Sequence, residues 1–197
     1  MSVITLASKS AARAGLLASA GVAFETTGSG VDEDEIKVGL LAKRASPLAI
    51  ARTLAEAKAV AVSSRRPGLV IGADQTLDLD GQLFDKAASL DEGRERLVRL
   101  RGRRHQLHSG VALAQGGEVI WRQSESASLS MRAFSDRFLE DYLARNGEAV
   151  LSSVGCYQLE GEGLQLFDRI DGDYFCILGL PLLPLLAELR RLGAIAA

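Results

Sequence analysis

Aromatic side chains are scarce, 5% of 197 residues with a single Trp. So few rings leave little material for a stacking platform on single-stranded nucleic acid. Cysteine is almost missing: Cys156 and Cys176 stand far apart, without CxxC spacing. They exclude a disulfide framework, point to a reducing compartment and read as small hydrophobes. Charge of one sign is lacking too, since 23 Lys plus Arg face 25 Asp plus Glu for a net of −2. Indiscriminate binding to a nucleic-acid backbone or an anionic membrane is therefore not expected. The most apolar run, residues 177–189, is too short to cross a bilayer and contains Pro181 and Pro184. The N-terminal stretch has no basic leader region, and Ser8, Lys9, Ser10 and Arg13 interrupt its apolar residues, so no signal peptide is expected. These absences predict a soluble cytoplasmic protein with neither nucleic acid nor membrane as partner.

Familiar catalytic signatures are missing as well: no GxxxxGK followed by Ser or Thr, no GxGxxG after a strand, no GxSxG and no HExxH. The only histidines, His105 and His108, are three residues apart on an expected strand, which places them on opposite faces rather than around one metal ion.

What is present is a globular composition, 47% hydrophobic and 24% charged, in a chain long enough to bury roughly 70% of its unfolded surface. No repeat, low-complexity block or Gly/Ser linker divides it, so residues 1–197 read as a single domain. Residues 2–7 predict a short buried strand, followed by a turn at Ser8-Lys9-Ser10 and a helix containing Leu16 and Leu17. Ser46 and Pro47 open a helix to about Ser63; residues 69–73 form an apolar strand ending at Asp74; Asp80-Gly81 marks a hairpin. Ser89 with Glu92 starts a helix that stops at Gly102, two long strands join at Gly116-Gly117, and Ser135 starts a helix that ends at Asn146-Gly147. Two further strands and an apolar C-terminal helix complete the pattern β-α-β-α-β-β-α-β-β-α-β-β-α, an α/β chain with a mixed sheet. The Leu-rich face of the last helix reads as core.

Polar clusters fall at strand ends. Ser8, Ser10 and Arg13, at a strand-to-helix turn, suit either a phosphate cradle or ordinary capping. The acidic run Asp32-Glu33-Asp34-Glu35 reads as a loop, by itself a solvated surface, and Lys58 in AEAKA reads as an exposed helical lysine. Asp74 in IGADQT either carries a working carboxylate to a sheet edge or initiates a turn. Lys86, across the Gly81 hairpin, could be brought near that carboxylate by strand pairing. Arg101, Arg103 and Arg104 make a basic knot with no nucleic-acid reading element beside it.

In combination, LASKSAAR at 6–13, DE at 32–33, LAEAKA at 54–59, IGADQT at 71–76, FDK at 84–86, LRGRRHQLHSGVAL at 100–113 and GLP at 179–181 resemble the Maf family of nucleoside triphosphate pyrophosphatases over nearly the whole chain. The resemblance implies an elongated, twisted mixed sheet flanked by helices, with two lobes around a deep cleft, and a homodimer. It implies hydrolysis of the α–β phosphoanhydride of a nucleoside triphosphate in the housecleaning of unwanted nucleotides. Asp74 matches the general base, Glu33 and Asp74 the holders of a divalent metal (Mg²⁺ or Mn²⁺), Ser8, Ser10 and Arg13 the phosphate-handling segment, and Lys58 and Lys86 two catalytic lysines.

Three matched positions bear on the base. Ala12 stands where the family places a base-choosing residue, and the usual Pro and first Arg of that segment are replaced by Ala11 and Ala12. Gln75 and Glu160 are similar to the pair in the branch acting on 7-methyl-GTP, and a carboxylate at Glu160 suits a guanine edge or a cationic methylated ring. A modified, purine-type triphosphate is the expected substrate. The competing expectation is a nucleotide-binding regulator of septum formation with little or no hydrolysis.

Overall fold

The computed structural model describes residues 3–196. In chain order the elements are β1 (Ile4–Leu6), α1 (Ala11–Ser19), β2 (Glu25–Thr26), α2 (Glu33–Ala42), α3 (Pro47–Ser63), β3 (Leu69–Leu79), β4 (Gln82–Phe84), α4 (Leu90–Leu100), β5 (Arg104–Gln115), β6 (Glu118–Met131), α5 (Asp136–Asn146), β7 (Phe167–Asp171), α6 (Tyr174–Ile177) and α7 (Leu182–Arg191). Capping decides where helices begin. Ser10, Ser46, Ser89 and Ser135 each accept a hydrogen bond from the backbone N–H three residues on, satisfying a donor that the helix itself leaves unpaired. Asp80 and Gly81 both have positive φ, 54° and 82°, the backbone that a two-residue hairpin requires, and they join β3 to β4 with Leu79 opposite Gln82.

The strands form a seven-stranded mixed sheet of order β2-β1-β3-β5-β6-β7, with β4 paired on β3. The chain divides into two compact units, each assembled from separated segments. The first holds residues up to Gln75, His108–Ser126 and everything from Asp173 on; the second holds Thr76–Leu107 and Ala127–Gly172. In the first unit, Ile4, Leu6, Leu69, Ile71, Val111 and Leu113 meet Leu17, Leu182, Leu185 and Leu189 in one apolar core, so the Leu-rich face of α7 is buried as its pattern predicts. In the second, Ala127, Leu129 and Met131 are buried along β6 while Ser128 and Ser130 are half-exposed, and Tyr157 meets Phe167 edge-on at 4.8 Å.

The expected elements are altered at three places. The acidic run is not a loop: Asp32 caps α2, and Glu33, Asp34 and Glu35 occupy its first turn, where the helix dipole favours carboxylates. The strand that carries Asp74 does not end there but continues to Leu79, and β4 folds back along Leu77–Leu79. Between α5 and α7 the chain forms two 3₁₀ turns, the single strand β7 and the short helix α6 rather than two strands. Of the expected strand at 2–7, Ser2 lies outside the described residues. No helix among the described residues is long and apolar enough to cross a membrane.

Candidate active site

Three parallel strands bring the polar segments to one edge. β1 pairs with β2 (Leu6 opposite Thr26) and with β3 (Leu6 opposite Ile71). Leaving β1, the chain enters Ser8-Lys9-Ser10 and α1; leaving β2, it reaches Asp32 and Glu33; β3, three residues beyond Ile71, carries Asp74. The carboxyl ends of parallel strands are where open α/β sheets hold ligands.

Lysine reaches the same place through close packing of α3 on the sheet. A Cβ on Gly72 would sit 2.2 Å from the Ala55 carbonyl oxygen and 2.6 Å from the Ala59 nitrogen, and one on Gly110 would sit 2.7 Å from the Ala51 oxygen. Only glycine at these two strand positions lets the alanine face of α3 lie this near. Lys58, between Ala55 and Ala59, is thereby carried onto Asp74: its Nζ donates to Asp74 Oδ1 at 2.6 Å and meets Glu33 Oε1 at 2.8 Å. The Lys58 and Asp74 side chains retain 8% and 10% of their exposure, whereas Glu33 keeps 40%. Lys58 is thus a buried ion-pair partner, not the exposed helical lysine its alanine-rich context predicts. Burial pushes the Asp74 carboxyl above its ordinary value; Lys58 and Arg13 pull it back, and the negative Glu33 adds to the rise.

Arg13 is fixed on two sides. Its Nε donates to the Gly179 carbonyl at 2.8 Å and its Nη1 to Ser8 Oγ at 3.2 Å, while Ser8 Oγ also accepts from the Ser10 backbone N–H. Burial lowers the pKa of the guanidinium, against the pull of the Asp74 and Glu33 charges. Ser8, Ser10, Arg13, Glu33, Lys58 and Asp74 therefore occupy one region of the first unit, a cationic pair interleaved with a carboxylate pair and two hydroxyls.

The remaining sequence-derived positions are placed as follows. Ala12 is exposed on the first turn of α1. Gln75 turns its amide nitrogen inward, onto Ser109 Oγ and the carbonyls of Cys176 and Ile177. Lys86 and Glu160 belong to the second unit, where both are exposed. The β3–β4 pairing runs only as far as Leu77 opposite Phe84, two residues short of Lys86. His105 and His108 are both buried and bond different hydroxyls, Tyr157 and Ser126 respectively. Cys156 and Cys176 are buried thiols without a disulfide.

Donor chemistry at the acidic pair suits a hard cation. Glu33 and Asp74 converge on one point, now filled by the Lys58 ammonium, and offer carboxylate oxygens only. Among the described residues no group of three or more His, Cys, Asp or Glu gathers to hold a metal by itself, here or elsewhere. Two carboxylates, completed by phosphate oxygens and water, are the usual protein contribution to Mg²⁺ held with a nucleotide. The residues fit such an ion.

Ser109 and the carbonyl of Gly179, both engaged with predicted site residues, are not marked by any motif chemistry; the only signal for them is that they stand inside the quoted stretches HSGVAL and GLP.

Residues 3–192 match the Maf family, described as Maf-like protein. A nucleoside triphosphate pyrophosphatase of Caulobacter vibrioides is 62% identical over 98% of this chain and 96% of its own length. A 7-methyl-GTP pyrophosphatase of Brucella suis is 49% identical over 95% of both. A nucleoside triphosphate pyrophosphatase of Granulibacter bethesdensis is 51% identical over 95% of this chain and 96% of its own length. The chain belongs to the Maf family.

Proposed function

We propose that this chain is a nucleoside triphosphate pyrophosphatase, a hydrolase of acid anhydrides that removes unwanted nucleotides. Water attacks the α-phosphorus, the bond between that phosphorus and the bridging oxygen breaks, and nucleoside monophosphate and pyrophosphate leave. The observation that carries this reading is the Asp74 carboxylate, buried at the carboxyl edge of parallel strands and bonded to Lys58 at 2.6 Å. A carboxylate lifted above its ordinary value is a better acceptor for the proton that the attacking water loses. Arg13, steadied by Gly179 and Ser8, and Lys58 offset phosphate charge as it builds on the leaving group. Ser8 and Ser10 line the approach with hydroxyls beside the start of α1, whose backbone N–H groups favour anions. Glu33 and Asp74 would hold Mg²⁺ or Mn²⁺, which supplies further charge neutralisation when bound. Lys86 is the second catalytic lysine of this proposal.

A 7-methyl-GTP-like purine is the base in this reading, with the Glu160 carboxylate accepting from the N1–H and exocyclic amine of the ring; relatives named for that substrate, 48–51% identical, support it. Ala12, small and exposed, leaves the ring's face uncovered from α1. A homodimer in the cytoplasm completes the proposal, and the two unpaired buried thiols agree with a reducing compartment. A regulator of septum formation without hydrolysis is not favoured, because binding alone has no use for a base beside a metal-holding carboxylate.

The test is pyrophosphate release with Mg²⁺ and Mn²⁺ across the common triphosphates and 7-methyl-GTP. Turnover highest on 7-methyl-GTP supports the full reading. Preference for dTTP or UTP overturns the base assignment, and no release from any member overturns the enzyme. Asp74→Asn should lower the rate on the order of 10²–10⁴-fold while the fold persists.

A further inference from the structure

The amide nitrogen of Gln75 is turned inward and carries more contacts than a base-reading N–H could spare. This Nε2 lies 3.0 Å from each of three acceptors: Ser109 Oγ, the Cys176 carbonyl and the Ile177 carbonyl. Two N–H groups are shared among three oxygens. The Ser109 hydroxyl, fully buried, donates its own hydrogen to the Cys176 carbonyl at 2.7 Å, so toward Gln75 it can only accept. The two carbonyls lie at the end of α6, a four-residue helix, and that of Cys176 also accepts from the Gly179 N–H at 3.0 Å. At its other end Asp173 accepts from the Cys176 N–H at 2.9 Å. Gln75 and Asp173 therefore hold α6 from both ends, and Ser109 on β5 ties the arrangement to the sheet.

Past α6 the chain turns at Gly179, φ 91°, whose carbonyl accepts from Arg13 Nε. A Cβ at Gly179 would stand 3.4 Å from Arg13 Nε and Nη2 and 3.7 Å from Gln75 Cδ. The glycine backbone is thus packed between the carboxamide and the guanidinium. We infer that Gln75 is a positioning residue: with Ser109 it fixes α6 and the Gly179 carbonyl, and through that carbonyl sets the orientation of Arg13 toward the triphosphate, whatever base the nucleotide carries. The inference rests on the phosphate-handling role proposed for Arg13. It replaces the base-choosing role that the motif implies for Gln75.

Inorganic tripolyphosphate, which has no base, separates the two roles. Its affinity is measured by calorimetry for the wild type, Gln75→Met, Ser109→Ala and the double variant; kcat and KM are measured alongside on 7-methyl-GTP and UTP. A positioning role predicts that each single variant binds tripolyphosphate about tenfold more weakly, the loss of one or two buried hydrogen bonds. It also predicts that the double variant is no worse than the weaker single, and that the ratio of kcat/KM between the two nucleotides stays within about twofold. Gln75→Glu, the same shape with an acceptor facing three acceptors, should lose at least as much as Gln75→Met. Unchanged tripolyphosphate affinity in Gln75→Met with a shifted nucleotide ratio overturns the inference in favour of base reading. Failure of the wild type to bind tripolyphosphate overturns it as well. Binding without turnover of any nucleotide leaves the clamp standing and removes the enzyme instead. If Gln75→Met does not fold, Ser109→Ala, which deletes one hydroxyl, carries the same comparison.

Discussion

Lys58 and Asp74 are bonded at 2.6 Å with both side chains nearly sealed from water, and the half-exposed Glu33 shares the same ammonium. Removing one member of such a pair leaves the other charge buried without its partner. Lys58→Met should therefore cost on the order of 3 kcal/mol of unfolding free energy, read from a denaturant titration. Lys58→Met combined with Asp74→Asn should recover most of that loss while staying inactive in pyrophosphate release. A single variant as stable as the wild type would mean that the pair does not hold α3 to β3.

Gly72 is the point at which α3 and β3 touch backbone to backbone. Gly72→Ala places a methyl carbon 2.2 Å from a carbonyl oxygen and 2.6 Å from an amide nitrogen, neither of which a side-chain rotation can relieve. The helix must move, taking Lys58 away from Asp74. A loss of at least ~1–3 kcal/mol is expected, together with lower turnover. Gly15→Ala is the control: no atom lies within 4 Å of its Cβ, and the position is inside α1, so it should gain ~0.5–1 kcal/mol with activity retained. Thermal unfolding and pyrophosphate release on both variants decide the point.

How far this site could be read from the sequence follows from the range of the interactions. β1, the start of β3, the β5–β6 pair, the serine caps and the hairpin were legible because each is decided within a few residues. Ser8, Ser10, Arg13, Glu33, Lys58 and Asp74 were legible as motif positions, although Lys58 alone looked like a solvated lysine. Its burial depends on Gly72 and Gly110 admitting α3, a matter of packing rather than local pattern. Helix α2 was hidden because none of its residues is buried, so no apolar stripe announces it. The inward bonds of Gln75 reach across 34, 101 and 102 positions of chain, and no spacing rule anticipates them.

His105 gives the fold an acid limit. It is 1% exposed, bonds the Tyr157 hydroxyl at 2.7 Å, and burial lowers its pKa from 6.5 to about 4. Because the folded pKa is depressed, the unfolded chain binds the proton first as pH falls. Stability is therefore undiminished above pH 6.5 and declines toward pH 4, by about 3 kcal/mol for this group. His105→Gln keeps a neutral polar group at that place and does not titrate. The drop in unfolding free energy between pH 7.5 and 4 should be smaller in the variant by roughly that amount. Equal drops in both proteins would assign the acid sensitivity to other groups.

Arg96 does for the Lys86 segment what Gly179 does for Arg13. Buried on α4, it donates through Nη1 to the Asp85 carbonyl and, at 2.8 Å, to the Val154 carbonyl, and through Nη2 to Glu92 at 3.0 Å; its guanidinium also lies over the Phe84 ring. Glu92 in turn accepts from the Ala88 N–H at 2.8 Å, so the residues on both sides of Lys86 are tied to one helix. A lysine at 96 keeps the charge but loses the planar fork that serves separate acceptors at once. Arg96→Lys should therefore cost ~1 kcal/mol of stability, since it removes at least one of these part-buried bonds, and should lower kcat/KM. The cycle with Lys86→Met locates the cause: if Arg96 acts through Lys86, the double variant loses no more activity than Lys86→Met alone. Fully additive losses would show that Arg96 supports the second unit without setting the lysine.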